Sequence, residues 1–523
     1  MAQKTVVVVG AGLAGMLAAC AAQEAGAAVE LWDRGAIGLG TNSAMSNGHI
    51  TTPTPDYGPE RYVADTLEIG RGLNRLSYVE QTASLAPAAV AYLRSLGVKL
   101  NPGKGSYKVL CERPDLIIGV ELAERVAAAV RVRRQIRRRA GVRVLEIIKD
   151  QGRAVGVRGL DKEGKPLEMA AAAVVLACGG AGAVYARNDN QRSMLGQGYL
   201  LAARAGLPLL DMEFVQFYPI VLAEPGLPSV MIYPSYPPQA RLLDAKGREM
   251  LERLGVRDLN QGIMSIRDKF AALMFAEAKD GPVRMDLTQV PAEAWERHPL
   301  ALLARLKFDF KNKPVAVAPG AHFCMGGVEI DAQAQTALPG LFACGEVVWG
   351  LHGANRRGGN ALCECLVSGR LAGQGAAAFA AANTNTLPLP LGSPWSPGGP
   401  GFPYRELLRE VKDIAWLQAG IERDAAGIEK GLQRLGALAQ RAHQAARQNP
   451  PTPAQAQDLD AAIFTVQAVL TASRARQESR GALLRRDFPD QNDRLWRLNS
   501  VLNYEPASGQ MTLSHRPVAA TSS

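Results

Sequence analysis

The 523-residue sequence is poor in histidine, with six, and in cysteine, with seven. So few cysteines in so long a chain exclude a disulfide scaffold and fit a reducing compartment. No stretch reaches the run of about 18 apolar residues that a membrane span needs. The apolar start, Val6 to Cys20, is broken by Gly10, Gly12 and Gly15, has only Lys4 before it, and leads to no clear A-x-A site. Those features argue against a secretory signal. We therefore expect a cytoplasmic protein, or one held at the inner membrane through a partner subunit. No second Cys or His pair accompanies Cys363-Glu364-Cys365 at ligand spacing, so no metal is expected and these read as buried thiols. No internal repeat is found.

What is present bounds the answer further. Hydrophobic residues make up 47% of the chain and charged residues 21%, enough to build a core in two to four units. The net charge is +10, and seven Arg fall between Arg131 and Arg143. Glu121 to Ala140 reads as an amphipathic helix with Leu122, Val126, Val130 and Ile136 inward, which makes those Arg a solvated face. No aromatic interleaving accompanies them, so nucleic acid is not expected, and an acidic docking partner fits better.

Along the chain, the fold class reads as α/β: a Rossmann-like dinucleotide domain, an inserted α+β capping domain and a C-terminal helical domain. The expected boundaries are 1–218 with 321–385 for the split first domain and 219–320 for the cap. A Pro-rich linker at 386–404, helices over 405–507 and a loose tail at 508–523 complete the chain. The first domain shows three strand-then-glycine units: Thr5–Val9 before Gly10, Ala173–Ala177 before Gly179 and Gly180, and Gly340-Leu341-Phe342-Ala343-Cys344-Gly345-Glu346.

Gly10, Gly12 and Gly15 form a G-x-G-x-x-G that follows a strand and opens a helix. Asp33 lies 21 positions after Gly12, at the end of the next strand. The glycines give the turn, the close approach to a pyrophosphate and the helix packing. The helix N-terminus offers free N–H groups to phosphate. The motif alone does not separate FAD from NAD. Farther on, His322 and His352 fall in a segment dense in Gly and Arg. A His and an Arg converging on one pocket make a carboxylate clamp.

Seven segments together carry a family resemblance. They are GAGLAG (10–15), ACGGAGAVYARNDN (177–190), DMEFVQFYP (211–219), IRDKFA (266–271), PGAHFCMGGVEID (319–331), ACGEVVWGLHGANRRGGNAL (343–362) and ARQESRGAL (475–483). The chain resembles the flavoprotein subunit of succinate dehydrogenase and fumarate reductase, with its relative L-aspartate oxidase, over nearly its whole length. The resemblance implies FAD. Gly10, Gly12, Gly15 and Asp33 would hold the ADP half, with Gly179 and Gly180 in the same cofactor set. Thr41, Asn42, Ser43, Ala44, Asn47 and Gly48 would pass beside the flavin ring. Glu346 would bind the ribityl chain, and Asn360 and Leu362 would lie by the isoalloxazine. Arg267 would be the acid/base arginine. His322 and Arg356 would bind one substrate carboxylate, with His352 at the edge of the site.

Four departures from the family pattern modify that expectation. Asn42 stands where several members tether FAD through His, so non-covalent FAD is expected, with His49 nearby as a residue that could reach the cofactor. Tyr218 replaces a His of the second carboxylate clamp. Tyr233 and Tyr236 stand roughly where the family has a substrate-binding Thr and a proton-relaying Glu and Arg. Gly105-Ser106-Tyr107-Lys108 takes the place of a glycine-rich signature and has a short likeness to adenylylsulfate reductase. A buried carboxylate facing Tyr without a cation is poorly solvated. We therefore expect the far end of the substrate to be less charged, larger or aromatic, unless Arg241 or Lys246 swings in.

The function expected is FAD-dependent hydride transfer at a carbon beside a carboxylate of a small organic acid, with an altered second carboxylate site. An iron–sulfur or other electron-transfer subunit is the expected partner. The alternatives are a true succinate/fumarate enzyme, an L-aspartate oxidase, and a non-catalytic flavin electron-transfer subunit.

Overall fold

The computed structural model describes residues 5–383, 389 and 398–518. Most of the expected linker, 386–388 and 390–397, lies outside them, as does 519–523.

The chain opens with strand β1 (Thr5–Val9), helix α1 (Leu13–Glu24) and strand β2 (Ala28–Asp33). β1 is Thr and four Val, buried at every position. A continuous β-branched run suits a central parallel strand, which is covered on both faces. β3 (His49–Thr51), β4 (Leu100–Gly103) and β5 (Ser106–Val109) form a separate antiparallel sheet in the order β3-β5-β4. β6 (Ile136–Ala140) then joins β2. The parallel sheet runs Leu341–Ala343, Ala173–Leu176, β1, β2, β6. The helix Asn360–Ala382 packs on α1 through Gly369 and Gly373, where an added Cβ would meet Ala14 O at 2.6 Å and Ala18 O at 2.2 Å.

The arginine run does not form one helix. The helix Ile118–Val132 stops, and Ile136–Ala140 is β6, parallel to β2 with Asp33 opposite Ala140. Ile136 is buried under either periodicity, which hid the change. Arg137 and Arg139, two apart on one strand face, both reach Glu30 of β2, at 3.5 and 2.9 Å.

A third sheet runs Val215–Leu222, Val315–Cys324, Val283–Asp286, Arg241–Leu243, all antiparallel. Its first two strands cross the expected cap boundaries at 219 and 320. One strand pair thus carries Gln216, Tyr218 and His322 from the cap sheet into the first domain.

Helices Tyr404–Gln418, Ala425–Gln448 and Pro453–Ala475 pack against one another. The expected helical span to 507 is wrong at its end: Leu498–Glu505 is a strand, paired with Gln510–Pro517. Nor is 508–517 a loose tail. Pro506, Ser508 and Gly509 lie in the turn of that hairpin, with Gly509 at φ +71°. No helix among the described residues is long and apolar enough to cross a membrane.

Candidate active site

Two adjoining cavities share Asn42, Ser43, Glu346 and Cys365. The smaller is lined by Gly10, Gly12, Asp33, Thr41 and Gly179. Gly10 has φ +107°, and an added Cβ would sit 2.3 Å from Ala177 O, so only glycine makes this turn. Asp33 accepts from Ala11 N and Gly35 N, both at 2.7 Å, which fixes the carboxylate at the strand end. Leu13 N, at the start of α1, donates to Ser43 Oγ at 3.0 Å. Thr41 caps the short helix Asn42–Met45 by accepting from Ala44 N at 3.4 Å. Asn42 is held from both sides: Nδ2 donates to Asn190 Oδ1 at 2.6 Å and Oδ1 accepts from Gln191 N at 3.0 Å. Glu346 accepts from Cys324 N at 3.1 Å, and burial pushes its carboxyl up to about 7.

The larger cavity, about 1060 Å³, is lined by Asn47, His49, Tyr218, Tyr233, Arg267, His322, Arg356 and Leu362. Arg267 begins the helix Arg267–Glu277, and its Nη1 donates to Gln216 Oε1 at 3.4 Å. Its guanidinium lies 5.8 Å from the Tyr218 ring centre. Gln216 Nε2 in turn donates to Asn355 Oδ1 at 2.8 Å and Arg356 O at 3.0 Å. Asn355 Nδ2 donates to Asp268, whose carboxyl burial pushes up to about 6 against the pull of Arg267, Arg71 and Arg356. Arg356 stacks 4.6 Å over Phe323, and burial, then Arg267, lowers it to about 9. His322 Nδ1 lies 2.7 Å from Asp189 Oδ2. The Nε atoms of both Arg267 and Arg356 are buried without a partner. Two cations with no carboxylate ion-paired to them among the described residues, and an oriented His, on one cavity suit an anion.

Several expected site residues stand elsewhere. His352 does not line the cavity: its Nε2 is 2.9 Å from Glu364 and its ring is edge-on to Phe323 at 5.0 Å. It touches the same Phe323 ring on which Arg356 rests. Gly180 packs under the Glu346 carboxylate, with a hypothetical Cβ 2.1 Å from Oε1. Gly48 packs on Ile118, and Gly15 on Gly10 O. Ala44 is buried in its short helix, and Asn360 donates to Thr66 at 3.4 Å and keeps a buried Oδ1 free. Tyr218 and Tyr233 do line the cavity, but their hydroxyls are engaged: Tyr218 donates to Ile232 O at 3.2 Å, and Tyr233 Oη lies 3.0 Å from His298 Nδ1. Arg241 is tied to Asp286 at 2.5 Å, and neither it nor Lys246 lines the cavity. Lys104 and Lys108, which the sequence reading did not count as site residues, line the cavity as well.

The chain matches the FAD binding domain family over residues 5–362 and the fumarate reductase flavoprotein C-terminal family over 408–523. An L-aspartate oxidase of Streptomyces coelicolor is 31% identical, over 96% of this chain and 91% of that one. A fumarate reductase (CoM/CoB) polypeptide of Methanothermobacter marburgensis is 28% identical, over 87% and 88%. A mutated quinol fumarate reductase FrdA of E. coli superposes with a TM-score of 0.86 at 25% identity, over 99% of this chain and 97% of that one. The chain belongs to the succinate dehydrogenase/fumarate reductase flavoprotein family. It is an FAD-dependent oxidoreductase. The cofactor's place is legible in the donor set: a glycine turn with space only for backbone, Asp33 at the end of β2, and Glu346 where the cavities join.

Sequence reading missed Asp189, Gln216, Asn355 and Asp268 as site residues. All lie in or beside the quoted segments. Their roles arise from partners far away in the chain, such as Asp189 with His322 and Asn355 with Asp268.

Proposed function

We propose that the protein interconverts a carbon–carbon single and double bond next to a carboxylate of a small organic acid. Bound FAD supplies hydride exchange at N5. Arg356 and His322 grip the carboxylate and draw electron density toward it, which eases addition at the neighbouring carbon. Arg267 gives or takes the proton from its guanidinium, and Gln216 aims that group by accepting from it. An arginine is normally locked as a cation. Among the described residues no carboxylate is ion-paired with this guanidinium, so its protons face the substrate without a competing acceptor of that charge. FAD is held non-covalently, since the amide of Asn42 stands at the tethering position. The observation that carries the reading is the convergence of Arg267, Arg356 and His322 on one cavity, with both Nε atoms unpartnered.

Reduction of fumarate itself is the second reading, supported by the 25% identity to the E. coli protein. An L-aspartate oxidase is a third reading, supported by the 31% identity to the Streptomyces coelicolor protein: it needs a carboxylate free to meet an amine, and while Asp65, Asp189 and Asp268 are engaged by Tyr57, His322 and Asn355, Glu68 lines the cavity with no side-chain partner among the described residues. A non-catalytic carrier would have no use for the two cavity arginines. The electron partner is a separate iron–sulfur or other redox subunit, which leaves the protein in the cytoplasm or at the membrane through that subunit. Anaerobic bleaching of the bound flavin by a panel of saturated carboxylic acids, without added acceptor, tests the activity. Bleaching by at least one acid is the expected result; bleaching by aspartate alone refutes the reading.

A further inference from the structure

The smaller cavity joins the larger one at Glu346 and ends at a wall of Trp32, Asp33, Arg34, Arg143 and Gln457. In a dinucleotide fold the pyrophosphate lies at the glycine turn, and the acid after the second strand meets the ribose. The wall at Asp33 is therefore the adenosine end. Val142 N donates to Asp33 O at 2.9 Å, which sets Arg143 beside that strand end. The charged residues lining the cavity are Asp33, Arg34, Arg143 and Glu346. Glu346 stands at the flavin end and Asp33 is taken up by backbone N–H groups, which leaves Arg34 and Arg143 as the cations of the adenosine end.

Both guanidiniums turn to one carboxylate of the C-terminal domain. Asp458, in the second turn of the helix Pro453–Ala475, accepts from Arg143 Nη1 at 2.5 Å, and Arg34 Nη1 lies 3.9 Å from the same oxygen. Gln197 Nε2 donates to that oxygen at 2.6 Å, and Tyr404 Oη donates to the other at 3.4 Å. The side chains of Arg34, Arg143 and Asp458 are only 22%, 20% and 14% exposed, so salt screens them little. Next along the helix, Gln457 is buried, lines the cavity and donates to Val144 O at 2.6 Å. The helix is seated on the same wall: Gly196 has φ +86°, and a Cβ there would meet Thr465 Oγ1 at 2.0 Å. Two cations drawn to one oxygen repel each other once its charge is removed. Held at the wall, their remaining N–H groups and flat faces suit the acceptor nitrogens and the π-face of a purine.

We propose that Asp458 is a positioning residue for the cofactor: it holds Arg34 and Arg143 at the adenosine end of FAD and, with Gln457, makes the C-terminal domain part of the FAD site. Asp458 does not line the cavity itself and acts through the two arginines.

The test is equilibrium binding of FAD, and of ADP as its adenosine half, to the flavin-free full-length protein, read by flavin fluorescence and by competition between the two. Asp458→Asn is expected to weaken FAD about tenfold or more, the scale of one charged hydrogen bond, and ADP by the same factor. Asp460→Asn, on the same helix but paired with Arg204 at the surface, should leave both unchanged. Arg143→Met made singly should also weaken FAD, and should add little in the Asp458→Asn background, because both changes undo one contact. A mere loosening of the helix gives additive losses instead. FAD affinity unchanged by Asp458→Asn overturns the proposal. So do a loss for FAD that ADP does not share, equal losses in Asp458→Asn and Asp460→Asn, additive losses in the double variant, or ADP that fails to compete in the unaltered protein.

Discussion

His322 Nδ1 sits 2.7 Å from the Asp189 carboxylate, and this one contact fixes what the imidazole offers to the cavity. With Nδ1–H donated to Asp189, Nε2 is the atom left for substrate. Burial pushes His322 below its usual range, while Asp189 pulls it back up. The neutral ring presents a lone pair; the imidazolium presents a donor. Gripping a carboxylate therefore takes up a proton. We expect affinity to fall with rising pH above the free-site pKa, by up to about tenfold per pH unit. Inhibitor binding measured from about pH 5 to 9 checks this. His322→Gln should flatten the profile, and Asp189→Asn should move it to lower pH.

Arg267→Ala should lose about 10²- to 10⁴-fold in turnover, the usual range for a general acid or base, and keep its flavin. Arg267→Lys restores charge but not the fork that meets Gln216, so it should recover little. Stopped-flow flavin reduction together with the flavin-to-protein ratio separates a chemical loss from a folding loss. Unimpaired reduction in Arg267→Ala would sink the assignment.

Asn42 has both ends of its amide engaged, with Asn190 and with Gln191. An amide is no nucleophile toward a flavin methyl group. All flavin should therefore pass into the supernatant on acid precipitation. Yellow, protein-bound flavin would point to His49, which lines the same cavity and which burial and Lys108 hold neutral, at about 4.

How much of this was legible beforehand follows the range of the signal. The glycine turn and Asp33 could be read because their spacing is local and each residue type has a backbone reason. Arg267, His322 and Arg356 could be read from motif words, and the structure brings them to one cavity. The β6 strand was hidden because Ile136 satisfies helix and strand periods alike, and only its partner β2 decides between them. Lys108 was hidden because its direction depends on register with β3. His352 was misplaced because adjacency in the chain to Arg356 does not give adjacency in the cavity.

Glu346 is buried, and desolvation pushes its carboxyl up to about 7. Below the unfolded value, near 4.3, both states hold the proton and the site costs nothing. As pH rises, the unfolded chain loses its proton first. Stability of the flavin-free protein should therefore decline between about pH 4.5 and 7, from this group by no more than about 4 kcal/mol. Glu346→Gln removes that part of the slope. Denaturant melts of the flavin-free protein and the variant at several pH values measure it; parallel curves would refute it.

Arg476 ties the C-terminal domain to the strand that carries Gln216. Its side chain is fully buried, 2.7 Å from Glu213 and 3.0 Å from Glu478, and it donates to the carbonyls of Trp496 at 3.0 Å and Leu498 at 2.6 Å. Arg480 shares Glu478 at 2.6 Å, and the next residue, Gly481, lies under Ala354 O, where a Cβ would stand at 2.4 Å. Arg476→Met leaves Glu213 without its cation in a dry site, and one broken partner in a buried network costs about 3–5 kcal/mol. The loss should register as a lower denaturation midpoint and as weaker flavin binding, since the loop of Asn355 and Arg356 rests on this junction. Pairing Arg476→Met with Glu213→Gln should return part of the stability, because the second change removes the stranded charge. Additive losses in the double variant would mean that Glu213 is stabilised by Ser500, its other partner at 2.7 Å, and not by the ion pair.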